Sequence, residues 1–144
     1  MNDIILVSGG FDPVHSGHIA LINEASKFGD VVVLLNSDNW LRKKKGKEFL
    51  PYSEREIIMN AIKKVCDVIS FEDSDRTCIN GIKNAINKYP NRNIKFANGG
   101  DRNDNTTPET VFCEKNKIET LWGIGGNSKK NSSSWILKEW EKNY

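Results

Sequence analysis

Two histidines set three residues apart, His15 and His18, close a stretch of small residues that reads Gly9-Gly10-Phe11-Asp12-Pro13-Val14-His15-Ser16-Gly17-His18. A glycine-bearing turn running into a helix leaves backbone N–H groups pointing outward, and the helix dipole adds about half a positive charge there, so phosphate is the natural occupant. Three-residue spacing at a helix start puts both imidazoles on one turn, where each can donate to oxygens of the same polyphosphate. Gly17 removes a side chain that would block approach. A pair of capping or metal-binding histidines is the plainer reading. Zinc needs third and fourth ligands that no other histidine can provide, because these two are the only ones in the chain.

The elements that must position this stretch alternate along the chain. Ile4-Ile5-Leu6-Val7 reads as a buried strand ending in the turn at Ser8-Gly9-Gly10, and Ile19, Ile22, Ala25 and Ser26 recur at helical spacing after it. Asp30 to Leu35 is continuously aliphatic, as expected of a parallel strand covered on both faces. The segment from Asn36 to Tyr52 is polar, basic and contains Pro51, which predicts a long loop. Ser53 and Glu56 fit a capping box, with Ile57, Ile58, Ala61, Ile62 and Val65 as the core-facing stripe of the next helix. Asp67 to Phe71 predicts a third strand, Ile79, Ile82, Ala85 and Ile86 a helix ending before Pro90, and Asn93 to Ala97 a fourth strand opening into a polar loop, 98–105. Thr107-Pro108 starts a short helix to about Asn116, Ile118 to Ile124 makes a fifth strand, and the loop 125–131 leads to a last helix with Ile136, Leu137 and Trp140 facing inward.

Five strands alternating with five helices predict an α/β fold, a Rossmann-like doubly wound five-stranded parallel sheet in a single domain over 1–144. Loops that follow parallel strands gather at one sheet edge, so 8–18, the basic segment, 98–105 and 125–131 converge there.

The bulk composition excludes little but points one way. The chain has 144 residues, 38% hydrophobic and 28% charged, with a formal net charge of +2. No apolar run approaches a membrane span, and the start Met1-Asn2-Asp3-Ile4 lacks a secretory pattern, so a cytoplasmic chain is expected. Cys66, Cys78 and Cys113 are odd in number and widely spaced, which predicts buried, reduced thiols rather than a disulfide framework or zinc site. Charge is locally uneven: Arg42-Lys43-Lys44-Lys45-Gly46-Lys47 holds five cations in six residues.

The motif resembles the G-T-F-D-x-x-H-x-G-H sequence of the small nucleotidyltransferases. These include glycerol-3-phosphate and ethanolamine-phosphate cytidylyltransferases and heptose-1-phosphate, pantetheine-phosphate and nicotinate-mononucleotide adenylyltransferases. The resemblance covers nearly the whole chain. Arg42 to Lys47 followed by Pro51-Tyr52-Ser53-Glu54-Arg55 is similar to the family's lysine loop and E-R helix, Gly99-Gly100-Asp101 to its G-x-D loop, and Ser132-Ser133-Ser134-Trp135-Ile136 to its closing S-T-T-x-I motif. Two departures stand out. Gly10 replaces the usual threonine or serine, and Asn127 to Asn131 with Lys129 and Lys130 replaces an arginine-containing R-T-x-G-I segment, supplying charge without the bidentate fork.

What the resemblance implies is transfer of a nucleoside monophosphate from ATP or CTP to a small phosphorylated sugar or polyol, with pyrophosphate leaving. Length and the G-G-D loop look most like the heptose-1-phosphate adenylyltransferases, with glycerol-3-phosphate or phosphoethanolamine-type cytidylyltransferases as the alternative. His15, His18 and Lys44 or Lys45 would be catalytic. Gly9, Gly10, Phe11, Gly17, Gly100, Asp101, Lys129, Lys130, Ser132, Ser133 and Ser134 would bind the nucleotide, and Asp12, Trp40 and Arg55 the acceptor side. Mg²⁺ would be carried mainly on triphosphate oxygens, with no protein metal cage. Homodimerisation is an expectation from the resemblance alone. The blander readings are a plain helix cap for Ser132 to Ser134, an exposed loop pair for Asp101 and Arg102, a solvated first-turn residue for Arg55, and packing for Trp40, Trp122, Trp135 and Tyr52. A reading of another class is nucleic-acid binding through the basic segment 42–47. A single five-cation segment makes a poor groove, and the chain has no room for a tRNA-reading domain.

Overall fold

The computed structural model describes residues 2–99, 107–125 and 133–141. Its chain order is β1 (Ile4–Gly9), α1 (Ser16–Ala25), β2 (Asp30–Leu35), α2 (Asp38–Lys45), α3 (Tyr52–Ala61), β3 (Val65–Ser70), α4 (Ile79–Lys88), β4 (Ile94–Gly99), α5 (Pro108–Lys115), β5 (Glu119–Ile124) and α6 (Ser133–Glu141). The five strands form one parallel sheet in the order β3-β2-β1-β4-β5. The expected Rossmann-like doubly wound sheet is what the chain adopts.

Alternation along each central strand explains why both faces are covered. Ile4, Leu6, Val32 and Leu34 point to one face and pack with Ile82 and Ala85 of α4 and Cys113 of α5. Ile5, Val7, Val31, Val33 and Leu35 point to the other and pack with Ile22 and Ala25 of α1 and Met59 of α3. A strand buried on both sides has no reason to alternate polar and apolar residues, hence the unbroken aliphatic run of β2. Because all strands are parallel, the segments leaving Gly9, Leu35 and Ser70 emerge at one edge. The order reverses between β1 and β4, which makes that edge a ligand crevice by topology.

Four expectations need correction. The stretch 36–52 is not one long loop, because α2 lies within it: Ser37 caps Asp38–Lys45 by accepting the Trp40 N–H, and Arg42 to Lys45 occupy its last turn. Cations there oppose the negative end of the helix dipole, so the basic run stabilises a helix end instead of marking a coil. Helix α3 begins at Tyr52 after Pro51, without the Ser53 box, and its inward face is Tyr52, Arg55, Met59 and Ile62. Ile57 is 65% exposed. A buried arginine held by carbonyls turned this helix away from the face its isoleucines would choose. Trp140 is exposed on α6, while Ile136 and Leu137 are half-buried. Of the three thiols, Cys66 is exposed, because it sits on the edge strand β3, and only Cys78 and Cys113 are buried.

Candidate functional site

The site starts from the turn between β1 and α1. Phe11 takes a left-handed φ of +49° and is 4% exposed, which swings the chain across the end of β1 and seats the ring in the core. His15 is the N-cap of α1, with extended backbone. Its Nδ1 accepts the Gly17 N–H at 3.0 Å, and the His15 N–H donates to Nδ1 of His18 at 3.2 Å. A helix start normally recruits hydroxyls or carboxylates for this reciprocal cap; here two imidazoles perform it.

That cap fixes the chemistry of the rings. An Nδ1 that accepts carries no proton, so the proton of each neutral ring sits on Nε2. The rings stack with centroids 3.8 Å apart at 28°, and Phe11 lies 4.6 Å from His18, tilted at 59°. Burial pushes the His18 pKa down to about 3, and the nearby charges of His15 and Lys44 push the same way. His18 is thus a neutral donor at physiological pH.

Asp12 and the basic segment are one unit. The Asp12 carboxylate has no exposed surface and accepts the Phe49 N–H at 2.6 Å, the Leu50 N–H at 2.7 Å and Lys45 Nζ at 2.9 Å. Lys45 also donates to the Asp12 carbonyl oxygen. Asp12 therefore clasps the α2–α3 connection to the turn between β1 and α1. Lys44 instead lies with Nζ 4.8 Å from the Trp40 ring centroid and close enough for its charge to act on His18.

Arg55, expected either on the acceptor side or as a solvated first-turn residue, is not solvated. It is 1% exposed, and its guanidinium donates to the carbonyls of Leu50 (2.9 Å), Gly10 (3.0 Å) and Asn36 (2.8 Å) and to Asp38 Oδ1 (2.7 Å). With four of its five N–H donors so committed, the guanidinium gathers the ends of β1 and β2. Gly10 has a steric reason: a Cβ there would meet Leu41 Cδ2 at 2.6 Å and Trp40 Cζ3 at 3.5 Å, so the missing side chain lets α2 lie against the turn.

Ser133, in the first turn of α6, donates its hydroxyl to the Pro13 carbonyl at 2.8 Å, which brings the last helix to the same turn. Gly9 ends β1, and Gly17 donates within the histidine cap. Gly100, Asp101, Lys129, Lys130 and Ser132 lie outside the described residues, and of Ser134 only its place on α6 is described. Trp40 lines a cleft of about 620 Å³ between α2 and the segment after β3. That segment, with Glu72, Asp73 and Arg76, was missed by sequence reasoning; the one usable signal was its position after a parallel strand. Among the described residues no three His, Cys, Asp or Glu side chains converge to hold a metal ion, and no helix is long and apolar enough to cross a membrane.

Comparison with known proteins places this geometry. Residues 6–110 match the family model described as cytidylyltransferase-like. The chain is 35% identical over 128 residues to the bifunctional protein HldE of Enterobacter sp. (strain 638), and 35% identical over 127 residues to that of Salmonella arizonae. These matches cover 86% and 85% of the chain, yet the chain spans only 23% of the length of those relatives. In fold it resembles the lipopolysaccharide core biosynthesis protein of Thermoplasma volcanium GSS1, with a TM-score of 0.66, 21% identity and coverage of 90% of this chain and 98% of the other. It also resembles the bifunctional NMN adenylyltransferase/ADP ribose pyrophosphatase of Francisella tularensis, with a TM-score of 0.64, 15% identity and coverage of 100% and 43%.

Proposed function

The chain belongs to the cytidylyltransferase-like family of nucleotidyltransferases, and on that premise we propose that it moves a nucleoside monophosphate from ATP or CTP onto a small phosphorylated sugar. The reaction would be most like that of a heptose-1-phosphate adenylyltransferase. One observation carries the reading: two stacked imidazoles cap the helix at the ligand edge of the sheet through Nδ1, which makes Nε2–H the donor each neutral ring presents. An acceptor phosphate oxygen attacks the α-phosphorus in line, its new P–O bond forming as the bond to the β-phosphate oxygen breaks and pyrophosphate carries off the electron pair. No protein nucleophile takes part, so the protein supplies positioning and positive charge.

In this reading the His15 and His18 donors stabilise charge developing around the α-phosphate and the leaving group. Lys44 neutralises the approaching acceptor phosphate. Lys45 and Asp12 hold the segment that presents Lys44. Gly9, Gly10, Phe11 and Gly17 shape the turn against the triphosphate, while Ser132, Ser133, Ser134, Lys129, Lys130, Gly100 and Asp101 belong to the nucleotide side by their family positions. Family members generally use a divalent metal with the triphosphate; Mg²⁺ bound on the phosphate oxygens would offset their charge, and the described protein side chains need only accommodate it.

Pyrophosphate release is the readout, measured for ATP and CTP against aldose 1-phosphates, glycerol 3-phosphate and phosphoethanolamine. His18→Asn keeps an acceptor near Nδ1 for the cap but removes the Nε2–H, and its kcat should fall about 10²- to 10³-fold with the fold intact. Near-normal turnover in that variant would remove the histidines from the mechanism.

A further inference from the structure

Helix α2 has little apolar surface to hold it in place. It is eight residues long and buries only Leu41, so its direction depends on polar ties at its two ends. At the far end Lys45 is paired with Asp12 at 2.9 Å. At the near end a bond from Arg55 to Asp38 fixes one point of the first turn, which does not set the direction of a helix. The remaining tie is Asp73, from the segment after β3. It is 6% exposed, and its carboxylate accepts Asn36 Nδ2 at 3.0 Å, the Ser37 N–H at 2.8 Å and the Ser37 hydroxyl at 2.6 Å.

A buried carboxylate is costly unless its oxygens are met, and the three side-chain and backbone groups that meet this one are all neutral. Its charge stands at the positive end of the α2 dipole, which favours an anion there. Ser37 relays the tie. Its hydroxyl donates to Asp73 and accepts the Trp40 N–H at 3.1 Å, so the carboxylate fixes which way the cap's lone pair points. The base of the tie is firm, because the Asp73 carbonyl accepts the Arg76 N–H at 3.0 Å, Glu72 accepts the Ser74 N–H at 3.0 Å, Asp75 accepts the Thr77 N–H at 2.9 Å and Asn80 Nδ2 donates to the Glu72 carbonyl at 3.1 Å. With the segment after β3 braced in this way, α2 is the part that yields.

Resting on the nucleotidyl-transfer reading, we infer that Asp73 is a positioning residue for that reaction, which orients α2 from the end of the neighbouring strand and so keeps Lys44 beside the turn that bears His15 and His18. Three contacts make the link. Gly10 leaves room for Leu41 and Trp40 against the turn, Lys44 Nζ lies 4.8 Å from the centroid of the Trp40 ring, and the Lys44 charge acts on His18. Lys44 is seven residues past Ser37, about 10 Å along the helix axis, so a tilt of about 6° at the cap moves it by about 1 Å. Misplacement on that scale can cost about 10²-fold in rate.

A double-mutant cycle read by pyrophosphate release tests this, with the triphosphate, ATP or CTP, and the phosphate acceptor that the native chain turns over fastest. Asp73→Ala should lower kcat about 10- to 100-fold in the native background and less than about twofold in the Lys44→Ala background, where no charge is left to misplace. Asp73→Asn should recover most of the loss, since its amide can accept from Asn36 and the Ser37 N–H and donate to the Ser37 hydroxyl. Ser37→Ala cuts the same tie from the helix side and should depend on Lys44 in the same way, which keeps the test decisive if Asp73→Ala does not fold. A second readout needs no turnover. The chain has two histidines, so a histidine-ring NMR spectrum shows two patterns, and Asp73→Ala and Ser37→Ala should each move that of His18 in the direction in which Lys44→Ala moves it. Equal kcat losses with and without Lys44, or His18 ring signals left in place, would overturn the inference and leave nucleotidyl transfer standing. Should the native chain release no pyrophosphate from any pair, that reading falls, and the ring signals alone judge the tie between Asp73 and Lys44.

Discussion

At the scale of single residues, the chemistry turns on what each charge is set against. Lys44 and Lys45 are adjacent and chemically identical, yet Lys45 is paired with a fully buried carboxylate while Lys44 acts on His18 through its charge. Lys44→Ala should lower kcat about 10²- to 10³-fold with little change in thermal midpoint. Lys45→Ala should lower the thermal midpoint instead. Its cost stays below the roughly 3–5 kcal/mol of a broken fully buried pair, because Lys45 is 23% exposed and Asp12 keeps two amide donors. Thermal scans and turnover of the two variants check the division; equal kinetic losses would contradict it. His18 adds a pH dependence. It is neutral in the folded chain down to about pH 3 but protonates near pH 6.5 when unfolded, so between those values the unfolded state binds more protons. Stability contributed by the neutral ring is present above pH 6.5 and is lost as pH falls toward 3. Urea midpoints at pH 7 and pH 5 should therefore diverge more for the native chain than for His18→Asn.

At the scale of elements, α2 is the piece that makes the site. Gly10 lets it approach the turn, Ser37 caps it, Asp73 pins that cap from the next strand end, and Asp12 clasps its far side. Gly10→Thr, which restores the residue usual in the resembled motif, forces the buried Leu41 aside and should cost about 1–3 kcal/mol in denaturant unfolding. An unchanged midpoint would show that α2 is free to retreat. The strands, α1 and α4 were legible because their apolar periodicity is the cause of their burial, and α5 because Thr107 and Pro108 mark its start. Helix α2 was hidden because Asp38-Asn39-Trp40-Leu41-Arg42-Lys43-Lys44-Lys45 buries only Leu41, so no stripe announces it. Its cause lies in a cap and a dipole. The inward face of α3 was misread for the opposite reason: its isoleucines set a plausible stripe, and the hydrogen bonds of Arg55 outweighed it.

At the scale of the whole molecule, the parallel sheet does the gathering. Its order places β1 in the centre, with β2 and β3 on one side and β4 and β5 on the other, so the turn bearing His15 and His18 stands between two half-sites. On the β2–β3 side lie α2, Asp73 and the cleft; from the other end of the chain α6 reaches the same turn through Ser133 and Pro13. The sequence by itself determined the α/β class, the parallel sheet and the histidine pair, since strand hydrophobicity, helix period and motif spacing are local properties. Only the tertiary structure decided that Arg55 is held by three carbonyls and Asp38, that Asp12 is held by two amides and Lys45, that Lys44 and Lys45 differ, and that Asp73 and Arg76 border the cleft. Those outcomes depend on which carbonyls, amides and carboxylates from distant segments meet at one sheet edge, and a buried charge takes its role from the partners it finds there.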